Sequence, residues 1–280
     1  MWIYFSLLSG FLYTLQGLLS RFILKGNKDA WAFSFYFSAV GALTSIPFVI
    51  FQPKFSSNLY MWALMILVGI LIVVQNLLNF KSTNHLEASL QGSITKFRLI
   101  WVLIIGVIFL NESLNLYKVL GTVLTVVAGL AVVYKSKELR IKKGMLYAFL
   151  ATIVYAVVIG LYKVLFSDFN SATLTFLIFL IPAILNLIVM PNSISRIVLM
   201  AKEDGKNVFL ATFLGGFANL AMNHSLSLGE ASQSLVVIEA FLIIVLVGEH
   251  FILKERKNLF RKVVSVMLAT AGAVLIRLSN

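Results

Sequence analysis

The stretch from Glu87 to Tyr134 recurs, without a gap, 143 residues later as Glu230 to Arg277. Each copy opens with Glu-Ala-Ser (Glu87-Ala88-Ser89, Glu230-Ala231-Ser232) and runs into a long apolar segment that breaks at Leu-X-Glu (Leu110-Asn111-Glu112, Leu253-Lys254-Glu255). Each then continues through Asn-Leu (Asn115-Leu116, Asn258-Leu259) to an Ala-Gly pair (Ala128-Gly129, Ala271-Gly272). Fourteen of the 48 aligned positions are identical, and most of the others exchange one apolar residue for another. A chain that repeats itself over this length is expected to fold as two like units, which leaves open the solvent in which they fold.

Composition points to lipid. The 280 residues are 60% hydrophobic and 12% charged, with mean hydropathy +0.96, whereas soluble domains carry about 25% charged residues. A soluble enzyme of this size is excluded on that ground. The net charge of +12 does not indicate nucleic acid, because the Lys and Arg residues cluster in short spacers between apolar runs, where the positive-inside rule places them. With no Cys, and three His (His85, His224, His250) far apart in the sequence, the chain offers no thiolate chemistry and little for a metal. No glycine-rich phosphate loop is present, so neither ATP hydrolysis nor any cofactor is expected. The run from Trp2 to Phe22 lacks a basic leader and a small-X-small cleavage site and reads as a retained first span.

A helix needs about 20 apolar residues to cross the hydrocarbon core. Ten segments qualify, roughly 2–24, 30–51, 60–80, 88–110, 115–134, 144–166, 171–190, 207–228, 231–253 and 259–278. The most basic spacer, 135–143, follows the fifth span and sets a seam between a unit of residues 1–138 and one of 139–280. Tyr13 and Arg21 of the first span match Tyr155 and Lys163 of the sixth at an offset of 142. The expected fold is therefore an all-α membrane protein of ten transmembrane helices, built as two five-helix repeats. An odd number of crossings per repeat inverts the second relative to the first.

The charges test the inversion independently. Spacers after the odd-numbered spans hold 17 of the 23 Lys and Arg, the opposite face holds four (Lys54, Lys118, Lys163, Arg277), and Lys96 and Arg98 lie within the fourth span. The turn after the fourth span has one basic residue where the turn after the ninth has five, as two copies of opposite orientation require. At face value this count puts both termini outside the cytoplasm. Pro182 falls inside the seventh span and is expected to bend it. Small residues recur every four positions at Gly121, Thr125 and Gly129 of the fifth span and at Ser265, Ala269 and Ala273 of the tenth. Such stripes serve a packing seam within the bundle or a homodimer contact.

The five-plus-five duplication, with Leu-X-Glu followed by a Gly-bearing helix at the end of each half, resembles the drug/metabolite transporter superfamily and in particular its EamA-type branch. The resemblance spans nearly the whole chain. It departs where many members have a Pro about 13 residues before the Glu: here the sequence reads Lys96-Phe97-Arg98-Leu99 and, in the second copy, Glu239-Ala240-Phe241-Leu242. Many members are drawn with both termini in the cytoplasm, against the charge count. The resemblance implies alternating-access movement of small metabolites, amino acids or drugs, or in some branches lipid-linked sugars.

A charge at the centre of a spanning helix costs roughly 2.5–3.5 kcal/mol on insertion scales, so Lys96, Arg98 and Glu239 need a partner or a task. Lys96 and Glu239 are equivalent under the repeat, which places them across the pseudo-symmetry axis near the midplane. One reading has all three lining a cavity, the cations taking a carboxylate or phosphate and Glu239 an amine or a coupling proton. The competing reading is a Lys96–Glu239 ion pair that only pins two helices. A second, amide-rich layer comprises Gln75, Asn76 and Asn79 on the third span and Asn219, Asn223 and His224 on the eighth. Paired amides donate and accept without charge, which suits a zwitterion, although interhelical hydrogen bonding would use them equally. Gln16, Tyr13, Tyr155 and Gln91 are further candidates for substrate contact, and His224 for a proton relay. Arg21 and Lys163, near helix ends, are expected to reach headgroups. Glu112 and Glu255 are expected to cap helix N-termini, and Glu249 lies about one turn from the end of the ninth span.

The reading that follows is a multi-pass transporter of the inner or plasma membrane, contacting membrane lipids and moving a small polar molecule such as an amino acid or other organic anion or zwitterion. The alternatives are a translocator of lipid-linked substrates, which requires a lateral opening, and a scaffold or sensor subunit with a dry, ion-paired core.

Overall fold

Asp29, Asn58 and Asn170 each accept backbone N–H bonds with their side chains at the start of an apolar run, satisfying donors that a helix start leaves open. In a chain this apolar, such caps fix where helices begin. The computed structural model describes residues 1–24, 28–86, 88–133, 143–252 and 259–278. Its first repeat comprises α1 (Trp2–Leu24), α2 (Ala30–Phe51), α3 (Leu59–His85), α4 (Ala88–Thr95), α5 (Arg98–Phe109) and α6 (Leu116–Val133). The second comprises α7 (Lys143–Leu165), α8 (Ser171–Val189), α9 (Ser193–Leu228), α10 (Ala231–Ile252) and α11 (Leu259–Arg277). Five of these (α1, α2, α3, α7 and α8) are long and apolar enough to cross a membrane, among the described residues. The basic seam at 135–142, and Glu255, lie outside the described residues.

The packing obeys the repeat. α1 lies against α9 and α10, and their counterparts reproduce this, α7 lying against α3 and against α4 and α5. α2 packs on α8 and α6 on α11, each helix against its own copy. Both pairs run antiparallel. The end of α2 meets the start of α8, where Asn170 donates to Gln52 O (2.5 Å) and Lys54 N to Thr173 Oγ1 (3.2 Å). The start of α2 meets the segment after α8, where Asp29 holds Arg196 at 2.5 Å. The repeats are therefore inverted, as the odd span count and the charges anticipate.

Two elements differ from the expected spans. The fourth is not one helix: α4 stops at Thr95 and α5 starts at Arg98, and the backbone between tightens into three-residue turns (Phe97 N to Ile94 O and Leu99 N to Lys96 O, both 3.1 Å). The eighth is longer than expected, because α9 begins at Ser193 and changes direction at Asp204 (φ −141°, ψ 22°). The preceding arm is tied to the first repeat by Arg196–Asp29, Lys28–Asp204 and Tyr36 Oη donating to Ile197 O (3.0 Å).

Gly121 and Thr125 of the α6 stripe meet α11 inside the bundle; the side chain of Ser265 lies outside the described residues. A Cβ on Gly272 of α11 would stand 2.6 Å from Gly121 O and 2.5 Å from Thr125 Oγ1 of α6. The two helices meet backbone to backbone at this seam.

Candidate functional site

The break between α4 and α5 turns Lys96 into the bundle. Its stem lies along α6, where a Cβ on Gly129 would be 2.6 Å from Lys96 Cγ. This is the use of the second residue of the Ala-Gly pair. The ammonium meets α10, donating to Glu239 O (2.7 Å) and Glu239 Oε2 (2.5 Å). Arg98 NH2 contacts the other carboxylate oxygen. Arg98 also lies over the Tyr155 ring, its Cζ 4.7 Å from the centroid, a cation–π arrangement. Lys96 and Glu239 are buried, with side chains 5% and 1% exposed, while that of Arg98 is 20% exposed. Two formal cations therefore surround one anion, and the more exposed cation faces a cavity.

That cavity has a volume of about 280 Å³. Its inner end is formed by Arg98, Glu239, Tyr13, Tyr155, Tyr162 and Met222; both Tyr13 (3.7 Å) and Tyr155 (3.5 Å) direct their hydroxyls at Met222 Sδ. Asn76 and Asn79 of α3 and Asn219 of α9 line its flank. Asn219 Nδ2 donates to Gly215 O (2.9 Å). Asn76 Nδ2 and Arg98 Nε, both buried, have no hydrogen-bond partner among the described residues. Gln16 donates to Ser20 Oγ (2.7 Å), and Gln91 to Thr83 Oγ1 (2.8 Å) and Asn79 Oδ1 (3.2 Å), on the way to a mouth formed by Arg21, Thr83 and Gly92. The mouth lies among the ends of α1 and α3 and the start of α4, on the basic face.

Ten of the expected site residues thus share one cavity: Lys96, Arg98, Glu239, Asn76, Asn79, Asn219, Gln16, Tyr13, Tyr155 and Gln91. Asn223 and His224 do not. Asn223, fully buried, donates to Thr175 Oγ1 of α8 (2.8 Å), and His224 pairs with Ser171 Oγ (3.1 Å) and packs edge-on against Phe5 (4.3 Å). They lie about one turn of α9 beyond Asn219, past Met222 at the cavity's end, where Thr175 and Ser171 of α8 and Phe5 of α1 cover them. Tyr162, Phe37 and Phe179 line the cavity without having been singled out, since aromatic residues in an apolar run give no periodic signal separating cavity from core. Arg21 lines the mouth, and Lys163 turns inward to Leu226 O (2.8 Å) and Gly229 O (2.7 Å) rather than toward headgroups.

Glu112 is a cap, but of another helix than the one that follows it. The next helix, α6, is capped by Asn115, whose Oδ1 accepts from Lys118 N (2.8 Å). Glu112 instead crosses to the second repeat and accepts from Ala231 N (2.7 Å), Ser232 N (3.4 Å) and Ser232 Oγ at the start of α10.

The molecule is thus an inverted helical bundle with a polar, charged cavity among its helices. Comparison with known proteins gives the family. The sequence model of the EamA-like transporter family matches residues 1–134 and again 142–278, and the chain belongs to that family of membrane transporters. Twenty-eight chains of solved structures match. One crystal structure aligns over 100% of this chain and 99% of its own, with TM-score 0.66 and 12% identity; at that identity the likeness is one of fold alone. No curated protein matches.

Proposed function

We propose that this protein carries a small organic anion or zwitterion across the cell membrane by alternating access of its two inverted repeats. The observation that carries this is the pairing of Lys96 and Arg98 with a single carboxylate, Glu239, beside a polar cavity. The formal excess of one positive charge is a binding site for a carboxylate or phosphate, and the unpartnered Arg98 Nε and Asn76 Nδ2 are donors available to it. An anion arriving at Arg98 draws the guanidinium from Glu239, and a carboxylate that loses a cation gains affinity for a proton. Substrate and proton are thereby coupled at one residue.

The non-transporting scaffold reading draws on the Lys96–Glu239 contact, but it also requires a dry core, and the cavity weighs against it. The experiment is uptake of a panel of radiolabelled amino acids and organic acids into proteoliposomes, with and without a pH gradient. We expect uptake of at least one anionic or zwitterionic member, stimulated by the gradient, and loss of that stimulation in Glu239→Gln. Unchanged rate and pH response in Glu239→Gln would refute the coupling role, and transport of no member of the panel would refute the substrate class.

A further inference from the structure

The Leu-X-Glu motif that marks the repeat has no part in the cavity. Leu110 ends α5, and Asn111 takes the left-handed conformation (φ 53°) that Asn tolerates at a helix end. Glu112 N then bonds back to Gly106 O (2.9 Å). This turn aims the Glu112 carboxylate out of its own repeat and onto the first N–H groups of α10. Around it stand three more charged residues. Lys118, wholly buried, pairs with Glu230, lies 3.9 Å from Glu112 and donates to Ser113 O (2.5 Å). Lys163 ties α7 to the last carbonyls of α9. The cluster bridges the two repeats at the end of the molecule opposite the cavity mouth. Between it and the cavity lie Ile159, Leu226 and Leu235, each at most 1% exposed.

Each charged member has a counterpart of the same sign in the other repeat: Glu112 matches Glu255, Lys118 matches Arg261, Glu230 matches Glu87, and Lys163 matches Arg21. The central pair, Lys96 and Glu239, is by contrast reversed in sign. The charges of the cluster are thus kept by the duplication in sequence, while those of the central pair are not. Arg21, the one counterpart whose side chain is described, lies at the cavity mouth. The carbonyls bound by Lys163, those of Leu226 and Gly229, correspond under the repeat to those of Thr83 and Leu86 at the end of α3.

We infer that the Glu112–Lys118–Glu230–Lys163 cluster is a latch that shuts one end of the transport path. Releasing it lets the repeats rock so that the path opens at that end and narrows at the mouth. Bonds at Glu112 thus set the balance between the two states, without touching substrate. The inference rests on the transporter reading, but its test needs no substrate.

The chain has no Cys, so single cysteines report accessibility directly. Gly92→Cys, where a Cβ meets nothing within 4 Å, reports the mouth, and Leu235→Cys the sealed side. Labelling by a membrane-impermeant methanethiosulfonate is compared in right-side-out and inside-out vesicles. With the latch intact, Gly92→Cys is labelled from one side and Leu235→Cys is protected. Adding Glu112→Gln or Lys163→Gln is expected to raise Leu235→Cys labelling from the opposite side at least threefold while lowering that of Gly92→Cys. A rise at both sites together, no change at either, or loss of both latch variants from the membrane would each overturn the latch. A reciprocal shift in a protein that transports no probe would leave the latch standing and remove the transporter reading alone.

Discussion

At the scale of single residues, the site is governed by what it costs to leave a charge alone in a low-dielectric interior. Glu239, at 1% exposure, is shared by Lys96 and Arg98. Removing the single anion costs about 3–5 kcal/mol, because it leaves buried cations uncompensated. Glu239→Gln is expected to destabilise the protein on that scale, and Lys96→Met by less, because Arg98 remains paired with Glu239. Their combination should cost less than the sum by about 1–3 kcal/mol, since residues sharing a contact are not additive; thermal unfolding of all four proteins in detergent measures the difference. The polar members of this site were legible in the sequence for the same energetic reason that makes them coupled: a Lys, an Arg and a Glu inside apolar runs have few places to go. Asn223 and His224 were not separable from Asn219 by that logic, since amides and imidazoles cost little enough to be used for packing, and only their position along α9 relative to the cavity's end decides. Glu112 was legible as a cap, but the helix it caps lies 119 residues away, and no local pattern carries that distance.

At the scale of helices, spacing of small residues revealed the contact surfaces, whereas the break between α4 and α5 left no trace. Neither Pro nor Gly occupies Lys96-Phe97, so the usual kink chemistry is absent. The helix tightens where Lys96 is drawn to Glu239, a tertiary cause. The small residues Gly121 and Thr125 of α6, by contrast, follow from sequence and meet Gly272 of α11 at the intramolecular seam. Gly272→Ala places a methyl against the backbone oxygen of Gly121 at 2.6 Å, which neither helix can yield without separating, and is expected to cost about 1–3 kcal/mol. Gly17→Ala meets nothing within 4 Å and removes a flexible residue from the middle of α1, so it is expected to stabilise by up to about 1 kcal/mol. Unfolding midpoints in detergent that move the same way in both variants would contradict this account of the seam.

At the scale of the whole molecule, inversion was fully legible, because it follows from counting: an odd number of spans, and basic residues on alternating spacers, admit one arrangement of the halves. What counting does not reveal is which end stands open. The structure places the cavity mouth on the basic face, beside Arg21, and the charged cluster on the other; on the positive-inside rule the expectation is a mouth on the cytoplasmic side. The basic face is joined at its periphery by a second set of bridges between repeats, Asp29 with Arg196 and Lys28 with Asp204, away from the path. Burial alone would push the Asp29 carboxyl up, but the Arg196 guanidinium and the Ala32 and Trp31 amides hold it below its ordinary 3.8. The hydrogen bond to Asp204 holds Lys28 above its ordinary 10.5. A depressed carboxylate contributes stability that is fully present above about 3.8 and is lost as pH falls through its lower folded value. A raised lysine contributes stability that is present below about 10.5 and is lost as pH rises through its higher one. Both bridges therefore hold across the whole neutral range, at the periphery of the bundle. The expectation is that Asp29→Asn lowers the unfolding midpoint at pH 7 and flattens its fall on acidification below pH 4, while leaving the ratio of Gly92→Cys to Leu235→Cys labelling unchanged; a shift in that ratio would make the Asp29 bridge part of the gate rather than of the frame on which it turns.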